Sequence, residues 1–223
     1  MSTLSPYLRR LLVFLSVASF FEGFDFFALA QLLPDVRRSF ALTPEQGGAL
    51  VGFINVGMVV AYFLVRKADH WGRRRVLSLT IAGYTASSLL SGLATGAVTF
   101  AVAQLLGRVF LTAEISVAMV ITAEEYPAER RGLVIGIVQA CSSLGAIVCA
   151  GVVPLMLKSP WGWRGIYFIG GVPLLLIAIA RRGLHETNRF AALAQQTSRT
   201  ASSLFRIFAT PYRGRVLLLA AIW

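Results

Sequence analysis

Six apolar runs, each close to the length of a membrane-spanning helix, constrain this chain more than any other feature of its sequence. A spanning helix needs about 20 mostly apolar residues to cross the hydrocarbon core, and inside that core a helix also satisfies its own backbone N–H and C=O groups. The runs cover approximately residues 11–33, 47–65, 76–95, 98–121, 133–156 and 164–180. We therefore predict an all-α integral membrane protein with a six-helix transmembrane domain in residues 1–180, a cytoplasmic linker in 181–214 and the start of a seventh transmembrane helix in 215–223.

The distribution of charge supports this class of protein and predicts its orientation. Hydrophobic residues make up 57% of the chain, against roughly 45–50% in soluble domains. The net charge of +11 would suit a nucleic-acid-binding protein, but the basic residues lie in short loops between the apolar runs, so we expect no nucleic-acid partner. Sixteen Lys and Arg lie on the N-terminal side of the bundle and four on the other side. By the positive-inside rule this asymmetry predicts a multi-pass protein of the cytoplasmic (inner or plasma) membrane with a cytoplasmic N-terminus.

The predicted linker, 181–214, mixes hydrophobic with basic residues. Such a pattern is typical of short amphipathic helices that lie on anionic membrane lipids. A disordered loop is the alternative interpretation of the same composition.

Two carboxylates, Glu22 and Asp25, lie inside the first apolar run. A charged side chain at the centre of the bilayer costs about 2.5–3.5 kcal/mol on the insertion scale, so a function is expected for both. Residues three apart on a helix share a face, and both acids can therefore reach one polar cavity. They also argue against a cleaved signal peptide, whose central segment is apolar.

The fourth run contains Arg108 and Glu114. An unpaired Arg at membrane depth is costly, so we expect it to have a partner. Counting about 1.5 Å per residue along the two runs places Asp25 level with Arg108 and Glu22 at the midplane, so Asp25 is the expected ion-pair partner. A purely structural ion pair is the alternative for Asp25, and a hydrogen-bonded packing acid is the alternative for Glu114, which is otherwise a second proton site.

Asn55 and Gln139 are single polar residues within the second and fifth runs. We retain both as candidate substrate ligands. Hydrogen bonding between neighbouring helices is the favoured interpretation of such residues in a membrane bundle.

The turn between the second and third runs has the sequence Ala-Asp-His-Trp-Gly-Arg-Arg-Arg at 68–75. A short basic turn with a bend at Gly is what the positive-inside rule alone predicts. The turn also resembles the signature loop of the major facilitator superfamily, written G-x-x-x-D-R-x-G-R-R. Val65 and His70 replace the first Gly and the first Arg of that signature, and its other positions are matched by Asp69, Gly72, Arg73 and Arg74.

Three further segments resemble motifs of the same superfamily in the same order. The turn after the fourth run is similar to E-x-x-P-x-x-x-R-G, through Glu124, Pro127, Arg131 and Gly132, although a solvated run of charges is the alternative there. Residues 161–173 resemble the entry into the sixth span, and 184–190 resemble the P-E-S-P-R-F/Y motif of sugar and organic-acid porters. On these motifs the chain is identified as a member of the superfamily.

The resemblance implies the N-terminal bundle of the major facilitator fold, six helices arranged as two inverted three-helix repeats. It also implies a conformational latch on the cytoplasmic side, built from Asp69, Gly72, Arg73, Arg74, Glu124 and Arg131. Because the family holds its substrate between two halves, it implies a C-terminal half as partner. That half would belong to the same longer chain, to a separate chain or to a second copy.

The segment from Glu22 to Asp25, followed by Pro34, resembles the D-G-F-D…P segment of the aromatic-acid and organic-anion proton symporters. This likeness predicts proton-coupled symport of a small organic anion, with Arg108 binding the substrate carboxylate and Asp25, Glu22 and Glu114 carrying protons. The alternatives are a facilitative or efflux transporter without proton coupling, and a non-transporting membrane binding or assembly subunit. We expect no enzyme, metal or cofactor, because the sequence has no nucleophile, metal-ligand or phosphate-loop motif.

Overall fold

The structure, a computed structural model, describes the backbone of residues 5–180 and Gly214. It describes their side chains apart from Asp69, His70, Arg73, Arg74 and 172–180. Apart from Gly214, the predicted linker and the predicted start of a seventh helix lie outside the described residues.

Five of the six apolar runs lie within an α-helix, and the third, 76–95, extends three residues past the end of its helix. In chain order the helices are α1 (Pro6–Ser39), α2 (Pro44–Trp71), α3 (Arg73–Gly92), α4 (Ala97–Glu125), α5 (Ala128–Leu157) and α6 (Gly162–Ala180). Four of them, namely α1, α2 over Pro44–Ala68, α4 and α5, are long and apolar enough to cross a membrane. Helix α3 is less apolar because it begins with three Arg and contains six Ser and Thr. Over residues 5–180 the structure thus confirms the predicted all-helical fold and supplies four helices suited to spanning a membrane.

Local sequence signals determine where the helices begin and end. Thr43 and Gln46 form a capping box at the start of α2, with hydrogen bonds of 3.3 and 2.9 Å between side chain and backbone, and Pro44 occupies the first turn. Gly72 separates α2 from α3 with a backbone φ of 96°, a conformation that glycine adopts without steric cost. The sharp bend predicted at Gly72 is therefore confirmed.

Close approach between α1 and α5 positions the segment that contains the two acids. A Cβ added to Gly23 of α1 would overlap the carbonyl of Ser142, and a Cβ added to Gly145 of α5 would overlap the carbonyl of Phe20. Small residues at such contacts allow helices to pack backbone against backbone in a membrane. Elsewhere α4 packs against both α2 and α3, and α3 packs against α6.

Two clusters of buried apolar side chains occupy the two ends of the bundle. The near-end cluster, at the end where α1 begins, includes Leu11, Leu15 and Tyr126. The far-end cluster, where α1 finishes, includes Phe100 and Trp163, whose rings meet edge to face with centroids 5.4 Å apart. The buried charged residues of α1 and α4 lie at the level where these clusters meet.

Candidate functional site

Four charged side chains are buried at the middle of the bundle. Glu22, Asp25, Arg108 and Glu114 have only 3%, 8%, 7% and 3% of their surface exposed. Ionised groups are rarely buried this deeply unless they are paired or bound to something. These four residues therefore mark the candidate site.

A small pocket opens between α1, α3 and α4 at this level. Its enclosed space is about 10 Å³, and Asp25, Tyr84, Gln104 and Arg108 supply polar groups to its wall. A cavity needs about 10–15 Å³ to hold one water molecule. The pocket thus has room for about one oxygen atom, such as that of a water molecule or one of the two oxygens of a carboxylate.

Arg108 reaches from α4 across the face of an aromatic ring of α1. Its guanidinium carbon lies 4.4 Å from the centroid of Phe26, a cation–π arrangement, and Phe26 is 41% exposed. One nitrogen of Arg108, Nη1, is buried without a hydrogen-bond partner. A buried guanidinium with a vacant donor is suited to binding a carboxylate.

Asp25 shares the pocket with Arg108 but does not form the direct ion pair that its depth predicts. The two side chains lie within electrostatic range of each other, yet within residues 5–180 no ion pair of 4.0 Å or less between them is present. The reason is that the guanidinium stacks on Phe26, whereas Asp25 Oδ1 lies beside Gly170 of α6, 3.7 Å from where a Cβ would stand.

Two tyrosines, one on α3 and one on α6, lie close to Asp25. The hydroxyl of Tyr84 faces it from α3, and Tyr167 interacts with it from α6. The two hydroxyl oxygens and Asp25 Oδ1 are all buried, and none of the three has a hydrogen bond of conventional geometry. The site therefore holds several buried polar atoms that are ready to accept or donate.

Glu22 lies one helical turn before Asp25 and interacts electrostatically with Tyr84. It does not line the pocket described above. The structure therefore brings both acids of the first apolar run close to the same tyrosine.

Glu114 has a different environment on the same helix as Arg108. Its Oε2 lies 2.6 Å from the hydroxyl oxygen of Thr80, which donates to it from α3. Glu114 does not line the pocket. This contact fits the packing acid that we considered, and a role in proton transport stays a prediction.

Asn55 and Gln139 lie on exposed faces of α2 and α5. Neither lines the pocket with Arg108. Their assignment as substrate ligands stays a prediction that the structure does not test.

The predicted latch is only partly visible. Gly72 forms the bend, but the side chains of Asp69, Arg73 and Arg74 lie outside the described ones. Glu124 is half-buried at the end of α4. Arg131 donates from Nε to the carbonyl of Tyr126 over 2.8 Å, so this basic residue stabilises the turn between α4 and α5.

Tyr126 connects that turn to the start of α1. Its hydroxyl donates to the carbonyl of Leu8 over 2.6 Å. Burial, with the neighbouring Tyr7 and Glu125, raises the pKa of Tyr126 to about 12. The hydroxyl therefore keeps its proton and remains a hydrogen-bond donor at any physiological pH.

Sequence reasoning missed Tyr84 and Phe26 as parts of the site. Aromatic residues in an apolar run give no signal of their own, because their bodies suit a membrane helix. One signal was available for Tyr84, since it lies near the centre of the third apolar run and thus near the depth predicted for Glu22. Among the described residues, no group of three or more His, Cys, Asp or Glu is arranged to hold a metal ion.

Comparison with known proteins agrees with the resemblance found in the sequence. A family model described as Major Facilitator Superfamily matches residues 15–223. A Haemophilus influenzae protein whose name suggests metabolite transport is 31% identical over 184 residues, which cover 80% of this chain and 45% of that protein. The gallate transporter of Pseudomonas putida is 26% identical over 211 residues, covering 92% of this chain and 46% of the transporter. The family and these names are those of transporters rather than enzymes.

Solved structures agree with the fold. The crystal structure of a D-xylose-proton symporter matches with a TM-score of 0.75 at 18% identity, over 85% of this chain and 51% of that one. At such low identity the likeness shows the fold alone. The chain spans about half the length of the curated relatives that it matches.

Proposed function

The chain belongs to the Major Facilitator Superfamily, and we propose that it forms the N-terminal half of a membrane transporter. In this proposal six helices span the membrane as two inverted three-helix repeats, and the near end of the bundle faces the cytoplasm. The excess of Lys and Arg on the near-end side supports this orientation. A C-terminal half, in the same chain or another, completes the substrate cavity.

We propose further that the transported substrate is a small organic anion. The observation that carries this proposal is Arg108, a buried cation with a vacant donor at the wall of a small pocket. A carboxylate placed there would gain charge-assisted hydrogen bonds in a site of low dielectric constant. The relative named as a gallate transporter supports the same class, since gallate is an aromatic carboxylate.

Charge balance in the pocket gives a reason for coupling to protons. With Asp25 ionised, Asp25 and Arg108 together carry no net charge. An anion that enters alone adds a buried negative charge, which is costly, whereas an anion that enters with a proton on Asp25 leaves the site neutral. Glu22, at the midplane, is the proposed second carrier of the proton.

The test is proton-driven uptake in liposomes by the purified transporter, which comprises this chain together with its C-terminal half, with radiolabelled gallate as the first anion. Asp25→Asn mimics the protonated acid permanently, so we expect loss of accumulation driven by a pH gradient. Exchange of labelled for unlabelled substrate across the membrane, which needs no net proton movement, should persist. Asp35→Asn, at an acid of the same helix that pairs with Arg38 and does not line the pocket, is the matched control and should retain accumulation.

Unchanged dependence on the pH gradient in Asp25→Asn would contradict the coupling mechanism. Wild-type uptake that ignores an imposed pH gradient would instead support a facilitative or efflux transporter. Binding of the anion without any flux would support a non-transporting binding subunit.

A further inference from the structure

We propose that Tyr84 transfers the coupling proton between the two acids of α1, from Asp25 to Glu22. This inference rests on the proposed function, because it assigns a step within proton-coupled transport. It deepens that function by naming the group through which two separate carboxylates act together.

The position of Tyr84 carries the proposal. Its side chain is 3% exposed and lines the same pocket as Asp25 and Arg108. Its hydroxyl faces Asp25 and lies within electrostatic range of Glu22. A buried tyrosine hydroxyl usually has a hydrogen-bond partner, but the oxygen of Tyr84 has none of conventional geometry. Its hydrogen-bonding capacity is therefore available to either acid.

Tyr84 is related to both acids of α1. Arg108 of α4, Tyr167 of α6 and Cys149 of α5 also interact with Asp25, and Tyr84 interacts with Asp25 and with Glu22. At a rise of about 1.5 Å per residue the two acids are about 4.5 Å apart along the axis of α1, so one hydroxyl that faces α1 from α3 can serve both.

A phenol can pass a proton because its oxygen both donates and accepts. In the proposed step the protonated carboxyl of Asp25 gives its proton to the oxygen of Tyr84, and Tyr84 gives its own proton to the carboxylate of Glu22. Asp25 becomes ionised, Glu22 becomes neutral, and Tyr84 ends as a neutral phenol. The step moves one proton, requires no other reactant and restores the negative charge beside Arg108.

Replacing Tyr84 by phenylalanine tests the relay, with Thr85→Val as a matched control. Tyr84→Phe removes the oxygen near both acids, whereas Thr85→Val removes an equally buried hydroxyl of the same helix that does not line the pocket. Both proteins are reconstituted in liposomes and assayed with radiolabelled gallate for accumulation under a pH gradient and for exchange at equal pH. We expect Tyr84→Phe to reduce accumulation by at least about tenfold, as for loss of a proton-transfer group.

Exchange should stay within about threefold of wild type in Tyr84→Phe, because exchange needs no proton transfer between the acids. This retained exchange also shows that the protein is folded. Thr85→Val should retain both activities. Tyr84→His, which keeps a group that donates and accepts, should recover part of the accumulation and shift its pH profile, an effect that a packing role would not produce.

Three results would overturn the relay. Wild-type accumulation in Tyr84→Phe would show that its oxygen is not needed, while the proposed function would stand. Equal losses in Tyr84→Phe and Thr85→Val would indicate a general effect of removing a buried hydroxyl from α3. Absence of gradient-driven accumulation by the wild-type protein would remove the proposed function together with the relay.

Discussion

Helix α4 carries two buried charged residues whose surroundings are opposite. Glu114 is held by a hydrogen bond of 2.6 Å from Thr80, whereas Arg108 has a vacant nitrogen and borders a pocket. Leaving a buried polar group unsatisfied costs about 1–3 kcal/mol. The contrast teaches that α4 has a polar contact suited to packing and, less than two turns away, a polar site suited to an incoming charge.

The strongest test of this contrast is Arg108→Gln, which removes the buried positive charge. Hydrogen bonds to charged groups contribute about 1.5–3 kcal/mol, so we expect the affinity for an organic anion to fall by about 10- to 100-fold. Gallate binding to the purified protein, measured by calorimetry, checks this. Arg38→Gln is the control, since Arg38 is exposed and pairs with Asp35 at 3.4 Å far from the pocket. An equal loss in both variants would mean that net charge, and not the pocket, attracts the anion.

The close packing of α5 against α1, which positions the segment with Glu22 and Asp25, is tested by Gly145→Ala. The added Cβ would overlap the carbonyl of Phe20 and force α5 away from α1. Overpacking of this kind costs about 1–3 kcal/mol, so the thermal unfolding temperature in detergent should fall. Gly136→Ala is the control on the same helix, because its Cβ would meet no atom within 4 Å. Equal unfolding temperatures for the two variants would contradict the close contact between α1 and α5.

The packing role of Glu114 is tested by Thr80→Val. This change removes the hydroxyl that donates to Glu114 and should destabilise the protein by about 1–3 kcal/mol, without changing the pH dependence of uptake. Thr85→Val is the control on the same helix, because the Thr85 hydroxyl is buried without a hydrogen-bond partner and its loss should be neutral. A changed pH dependence in Thr80→Val would move Glu114 from packing to proton transport.

The sequence predicts the helices and the depth of the charged residues, but not which way each side chain points. Counting residues placed Asp25 and Arg108 at one level, and the structure places both on one pocket. A membrane helix is apolar on every side, so its pattern does not reveal the face that a residue such as Asn55 occupies. The stacking of Arg108 on Phe26 depends on side-chain rotamers and on the contact between helices, neither of which residue spacing determines.

A satisfied polar contact at the near end of the bundle gives the smallest expected effect. Tyr126→Phe removes the hydrogen bond to Leu8 and should cost about 0.5–1.5 kcal/mol. Because the pKa of Tyr126 is raised from 10.0 to about 12 in the folded protein, its contribution is complete below pH 10 and is lost as the pH rises to about 12. Unfolding temperatures measured across this range should therefore fall more steeply for wild type than for Tyr126→Phe. Parallel curves would show that folding does not raise the pKa of Tyr126, and would contradict a stabilising contact between its hydroxyl and the carbonyl of Leu8 at the near end of the bundle.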